Sequence, residues 1–110
     1  MAIYSNLNID QGTSFNVNVT LEDASGDAFI LTDYTVSAQI RKTYSSLTSI
    51  SFTATIQNNF SGLISLALDD IQTGAMKPGR YVYDVEVVSP GGVVSRVLEG
   101  QVEVFAGVTR

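Results

Sequence analysis

Cysteine and histidine are both absent from this 110-residue chain, and together the two absences narrow its chemistry. Without cysteine there is no disulfide framework and no thiolate nucleophile or metal ligand. Without histidine there is no His-based catalytic triad and no ordinary zinc site. Acid–base chemistry would fall to carboxylates, lysine or tyrosine. Tryptophan is missing as well, which removes the broadest aromatic platform for a sugar ring. Basic residues are few: six Lys and Arg against eleven Asp and Glu give a net charge of −5. Only Arg41 and Lys42 are adjacent, a balance that disfavours nucleic-acid binding, where basic groups must displace counterions from phosphates. No apolar run approaches the length of a transmembrane helix. Met1-Ala2-Ile3-Tyr4 shows neither the basic start nor the apolar core of a signal peptide, so synthesis in the cytoplasm and no membrane partner are expected.

What is present is a hydrophobic content of 45% against 15% charged residues, too apolar for disorder and distributed in short alternating runs. The length suits one domain covering residues 1–110, which buries roughly two-thirds of its unfolded surface on folding. Ile3, Leu7 and Ile9 alternate loosely and read as an N-terminal arm or edge strand over residues 1–12. From Ser14 to Glu22 the alternation is strict, with Phe15, Val17, Val19 and Leu21 on one face. Val36, Ala38 and Ile40 repeat that period, as do Phe52, Ala54 and Ile56 within Ile50 to Gln57, and Ile64, Leu66 and Leu68. Tyr81 to Val88 is a β-branched and aromatic run suited to a central strand. Val93 to Phe105 is the last strand, followed by a tail over residues 105–110. Its apolar period is broken, because Val94, Leu98, Val102 and Val104 share a face with Arg96 while Val97 faces the other way; a bulge near Gly100 would repair the phase.

One segment departs from strand chemistry. Asp69 caps a helix start with Gln72 three residues on, the spacing of a capping box, and Gly74 and Pro78 stop the helix within a turn or so. Ile71 and Met76 are expected on its underside, plugging the end between two sheets. Pro78-Gly79 then turns the chain into the central strand, with Tyr81 placed to serve as the corner tyrosine of an immunoglobulin-like domain. These signals define the expected fold. It is all-β, a single immunoglobulin-like β-sandwich of about seven to eight strands with one short helical turn before the penultimate strand.

Candidate chemistry is thin. There is no glycine-rich phosphate loop, since Gly91-Gly92 sits in a hairpin, and a small sandwich offers little room for two carboxylates facing across a cleft, so no enzyme and no cofactor are expected. Glu22, Asp23 and Asp27 cluster at one turn and could supply oxygens to calcium, but the spacing matches no EF-hand loop and turn chemistry accounts for them. Asp84, Glu86, Glu99 and Glu103 read as a solvated or partner-facing sheet face, with Arg80, Arg96 or Arg110 as pairing partners. Asn18-Val19-Thr20 and Asn59-Phe60-Ser61 match the glycosylation pattern but follow no secretion signal. Tyr4, Tyr34, Tyr44, Phe60 and Phe105 fall near turns or termini, and Tyr44 stands out in a Ser/Thr loop without apolar alternation around it.

The order of motifs carries a resemblance. Ile9-Asp10-Gln11-Gly12-Thr13-Ser14-Phe15, Leu31-Thr32-Asp33-Tyr34-Thr35 leading to Ala38-Gln39-Ile40-Arg41, Pro78-Gly79-Arg80-Tyr81-Val82-Tyr83-Asp84-Val85, Ser95-Arg96-Val97-Leu98-Glu99-Gly100 and the ending Gly107-Val108-Thr109-Arg110 together resemble small immunoglobulin-like virion proteins of tailed bacteriophages, of the cyanophage type. The resemblance implies a non-enzymatic structural role in the virion, foremost as a capsid decoration or cement protein. Neck, tail or baseplate component is the alternative, and a module binding host carbohydrate a further one. It also implies other virion proteins as partners, the major capsid protein first, repeated by particle symmetry. The partner contacts expected on this reading are Ile3, Tyr4, Leu7, Ile9, Tyr44 and Phe105.

Overall fold

The structure, a computed structural model, describes residues 3–23 and 25–109. Met1, Ala2, Ala24 and Arg110 lie outside it, and with them the expected pairing of Arg110. The strands are β1 (Ile3–Tyr4), β2 (Leu7–Asp10), β3 (Phe15–Thr20), β4 (Thr35–Arg41), β5 (Ile50–Ser51), β6 (Thr53–Asn58), β7 (Leu63–Leu68), β8 (Gly79–Val88) and β9 (Val94–Phe105), with one helix α1 (Asp70–Gly74) between β7 and β8. One sheet runs β1-β9-β8-β4-β5, with β2 also on β9; the other runs β3-β7-β6. This is the expected immunoglobulin-like sandwich. Among the described residues the strands number nine, because two of the segments that read as single strands are broken.

The first break is at Ser5-Asn6. Both N-terminal strands lie parallel to β9, Ile3 opposite Leu98 and then Leu7 opposite Val102. At the step between them Ser5 N–H donates to Glu99 O, and the Asn6 carboxamide oxygen accepts from Gln101 N–H. The backbones come so close here that a methyl group on Gly100 would collide with the Ser5 carbonyl. Gly100 therefore serves close approach and is not the site of the bulge. That bulge lies at Val97: Val85 pairs with Leu98 and Glu86 with Arg96, leaving Val97 as the extra residue. The extra residue turns Arg96 outward while keeping Leu98, Val102 and Val104 in the core, which resolves the broken phase.

The second break is at Phe52. Ser51 ends a two-residue pairing with β4, and Thr53 opens a strand in the opposite sheet. Phe52 N–H donates to Ala38 O as the chain crosses. Its buried ring stands 6.2 Å from Phe15 and 6.1 Å from Tyr83, so an aromatic row joins the two layers where one strand changes sheet.

The core is one cluster in which Ile9, Ile64, Leu66, Val85, Val87 and Val102 are fully enclosed. The capping box forms as expected, with Gln72 N–H donating to the Asp69 carboxylate at 2.7 Å and the Gln72 side chain accepting from Asp69 N–H. Met76 plugs the end, but Ile71 does not. It is 79% exposed, and buried Thr73 takes the inward position, its hydroxyl donating to Thr13 O at 2.7 Å. Residues two apart on a helix lie on different faces, so with Thr73 turned inward Ile71 is left outside. Tyr81 makes the corner, its hydroxyl donating to Lys77 O at 2.7 Å while Lys42 Nζ sits 4.7 Å above its ring.

Tyr83 locks the N-terminal step from below. Its hydroxyl donates to Ser5 O at 2.6 Å, and burial pushes that hydroxyl up to about 12 from the ordinary 10.0. Between those values the unfolded chain releases the proton while the folded chain keeps it, so Tyr83 costs stability as pH rises through that window. Tyr83→Phe should lower stability at neutral pH by about 1 kcal/mol through loss of the hydrogen bond. It should also make the melting temperature fall less steeply than the wild type's between pH 10 and about 12. Thermal melts of the two proteins across that range check both effects.

Candidate interaction surfaces

The sandwich presents two outer sheet faces and two ends. Inward residues alternate with outward ones along the strands, with the phase reset at the bulges of β6 and β9, so the outward sets follow from register. On the six-strand side they form the rows Ser37–Glu86–Arg96, Gln39–Asp84–Glu99 and Arg41–Val82–Gln101. This is the charged face expected from Asp84, Glu86, Glu99 and Glu103. Arg96 Nε stands 3.2 Å from the Asp84 carboxylate, an exposed pair worth no more than about 1 kcal/mol. Arg41 donates from Nη2 to the Gln39 carboxamide oxygen and from Nη1 to Ser46 O, which ties the following loop back over the sheet.

That loop carries Tyr44, and beneath it lies a shallow open depression of about 280 Å³ lined by Gln39, Arg41, Tyr44, Asp84, Glu86 and Arg96. Its chemistry is the exposed Tyr44 ring beside carboxylates, a carboxamide and guanidinium groups. A second depression, of about 510 Å³, lies at the far end between Ile3, Phe29 and Val97.

Large apolar side chains are exposed at both ends. One end, formed by the loop after β4, α1 and the end of β9, carries Tyr44, Leu47, Ile71 and Phe105. Its pieces are tied together by Lys42 Nζ to Arg80 O, Gln72 to Ser51 O and Gln11 to Met76 O. The other end carries Ile30, Phe60 and Val93, where Leu31 N–H donates to Asn59 O.

The residues expected as partner contacts separate accordingly. Ile3, Tyr4, Tyr44 and Phe105 are exposed, at 47%, 60%, 78% and 44%. Leu7 and Ile9 are corrected: both are buried opposite Val102 and Val104 as part of the core, because the segment is a paired strand and not a free arm. Leu47, wholly exposed, was not singled out by sequence; its signal was a lone apolar residue in the same Ser/Thr loop as Tyr44. Tyr34 is half-buried, edge-on to Phe29 at 5.6 Å.

The acidic turn has a local explanation. Asp23 Oδ1 accepts from the N–H groups of Ser25 and Asp27, an Asx-type turn. Among the described residues no group of three or more acidic side chains is placed to hold a metal ion. Nor does any described helix have the length and apolarity to cross a membrane.

No protein-family model matches the chain, and no curated protein matches it. Solved structures do. The Lin-41 filamin domain is similar at TM-score 0.50 and 16% identity, over 91% of this chain and 84% of that one. An internalin-like protein of Listeria monocytogenes gives 0.47 and 16% over 94% of this chain. A family 123 glycoside hydrolase from Clostridium perfringens gives 0.43 and 16% over 97%. The chain spans only 28% and 24% of those last two proteins. At these identities the likeness concerns the fold, and the filamin domain supports the immunoglobulin-like assignment.

Proposed function

We propose that this domain is a non-enzymatic structural protein of a tailed-phage virion, made in the host cytoplasm and seated on the capsid as a decoration protein against the major capsid protein. The observation that carries this reading is the end bearing Tyr44, Leu47, Ile71 and Phe105, where four large apolar side chains are exposed on tied-down elements. Exposed apolar side chains on elements tied to one end of the sandwich give a partner groups to bury there. The motif resemblance supplies the setting, and its residues have structural employment: Gln11 bonds Met76 O, and Tyr81 makes the corner after Pro78-Gly79. Neck, tail and baseplate positions share the same chemistry and differ in copy number, because particle symmetry fixes how often a small protein repeats. Quantitative mass spectrometry of purified virions should give about one copy per capsid subunit or a simple fraction of it. A ring-sized number moves the protein to the neck, tail or baseplate, and absence from the particle overturns the reading.

The depression beneath Tyr44 favours a second reading, a module that binds host-surface carbohydrate. An exposed ring beside Asp84, Glu86 and Gln39 offers the stacking surface and hydrogen-bonding groups that a sugar takes. On this reading the wild type binds host polysaccharide saturably, and both Tyr44→Ala and Asp84→Ala abolish that binding with the fold intact by circular dichroism. Binding retained by both variants excludes this site.

A further inference from the structure

The three-strand sheet carries no charge. Residues 43–68, which include β5, β6 and β7, contain no Asp, Glu, Lys or Arg, and neither do residues 11–21, which include β3. Register makes its outer face the rows Asn16–Ala67–Thr53, Asn18–Ser65–Thr55 and Thr20–Leu63–Asn58. In a chain of net charge −5, this side can meet another copy without bringing like charges together.

Its edges are unequal. β6 is bulged between Ile56 and Asn58. In the other sheet β5 has two residues, and the β1–β2 edge is broken at Ser5-Asn6 and carries Asp10. Short strands, breaks, charges and bulges are the devices by which proteins blunt open edges. β3 has none of them: it is six residues long, regular, uncharged and free of proline, and it pairs with β7 on one side only. Its inward residues Phe15, Val17 and Val19 remain half-buried along the uncovered flank. Leu21 N–H donates to Gly62 O on the β7 side. By the alternation of an antiparallel ladder, Asn16, Asn18 and Thr20 then direct their main-chain groups to the open side.

We infer that the β3 edge is a self-association site, at which a second copy of this chain pairs antiparallel about a twofold axis at Asn18 to form one continuous six-strand sheet. The strand is complementary to itself in that arrangement. Asn18 meets Asn18 and Asn16 meets Thr20, giving about six main-chain hydrogen bonds, and Val17 meets Val19 over the core, extending the half-covered apolar row. The inference is independent of a virion setting, since it concerns the purified domain.

The test uses the absence of cysteine, which makes a single introduced thiol report only its own contact. Directly paired residues have Cα atoms about 5.5 Å apart, within disulfide range, whereas two copies of Thr55 would lie about 24 Å apart across the joined sheet. Asn18→Cys should form disulfide-linked dimers about tenfold or more faster than Thr55→Cys under mild oxidation. Equal rates, or none for Asn18→Cys, overturn the inference. Sedimentation equilibrium gives an independent reading should Asn18→Cys fold poorly. The wild-type mass should rise from 11.8 kDa towards twice that value between about 10 μM and about 1 mM. Asn18→Glu, which sets two like charges at the axis, should stay monomeric, and Thr55→Glu should behave as wild type. A wild-type mass constant over that range overturns the second-copy assignment and leaves the edge to an extended segment of another protein. Association unaffected by Asn18→Glu, or lost equally with Thr55→Glu, overturns it as well.

Discussion

The parallel seating of the N-terminal strands on β9 is the constraint on which the rest of this structure depends. The ladders of β1 and β2 are keyed at the step between them, where the Ser5 carbonyl accepts from Tyr83 and crowds against Gly100, with Asn6 bonding Gln101 alongside. Because those ladders fix β1 and β2 to β9, these strands do not cover β3, and the second sheet is left with three strands and an open edge. It also explains why Leu7 and Ile9 belong to the core: parallel pairing in this register stacks them beside Val102 and Val104.

The two outer faces then differ in kind. The six-strand face carries rows of Asp, Glu and Arg, partly paired, beneath a loop that presents Tyr44. The three-strand face offers carboxamides, hydroxyls and the apolar side chains of Ala67 and Leu63, with no charge. A charged face stays hydrated and resists close approach by another acidic copy, while an uncharged one can be covered without desolvating ions. Together with the apolar groups at the ends, this gives a small domain surfaces of three chemistries: charged, uncharged polar and apolar.

Much of the fold was legible because period-two patterning follows from the pleat itself. β3, β4, β7 and β8 follow the alternation of their side chains, and the Asp69–Gln72 box and the Tyr81 corner rest on local chemistry that neighbouring residues complete. What was not legible depended on contacts distant in sequence. The strand change at Phe52 is invisible because its inward face is apolar in either sheet. The bulge at Val97 was displaced towards Gly100, since sequence shows a glycine but not the Ser5 carbonyl that requires it. Hydrophobicity alone places Ile71 inward, and only the Thr73 hydroxyl's bond to Thr13 O shows that Thr73 holds the place. Of the surface residues, Tyr44 was recognised by its polar surroundings. The open β3 edge could not be, because it exists only once the N-terminal strands are known to lie elsewhere.

Amide hydrogen exchange along β3, followed by NMR at several protein concentrations, tests the central claim most directly: the chain covers β9 and leaves β3 bare as an association edge. In dilute solution the amides of Val17 and Val19 should be protected by β7, while those of Asn16, Asn18 and Thr20 exchange freely, and the latter three should become protected as concentration rises. Protection of all five that does not change with concentration would mean that the edge is covered within the chain, and would contradict the account.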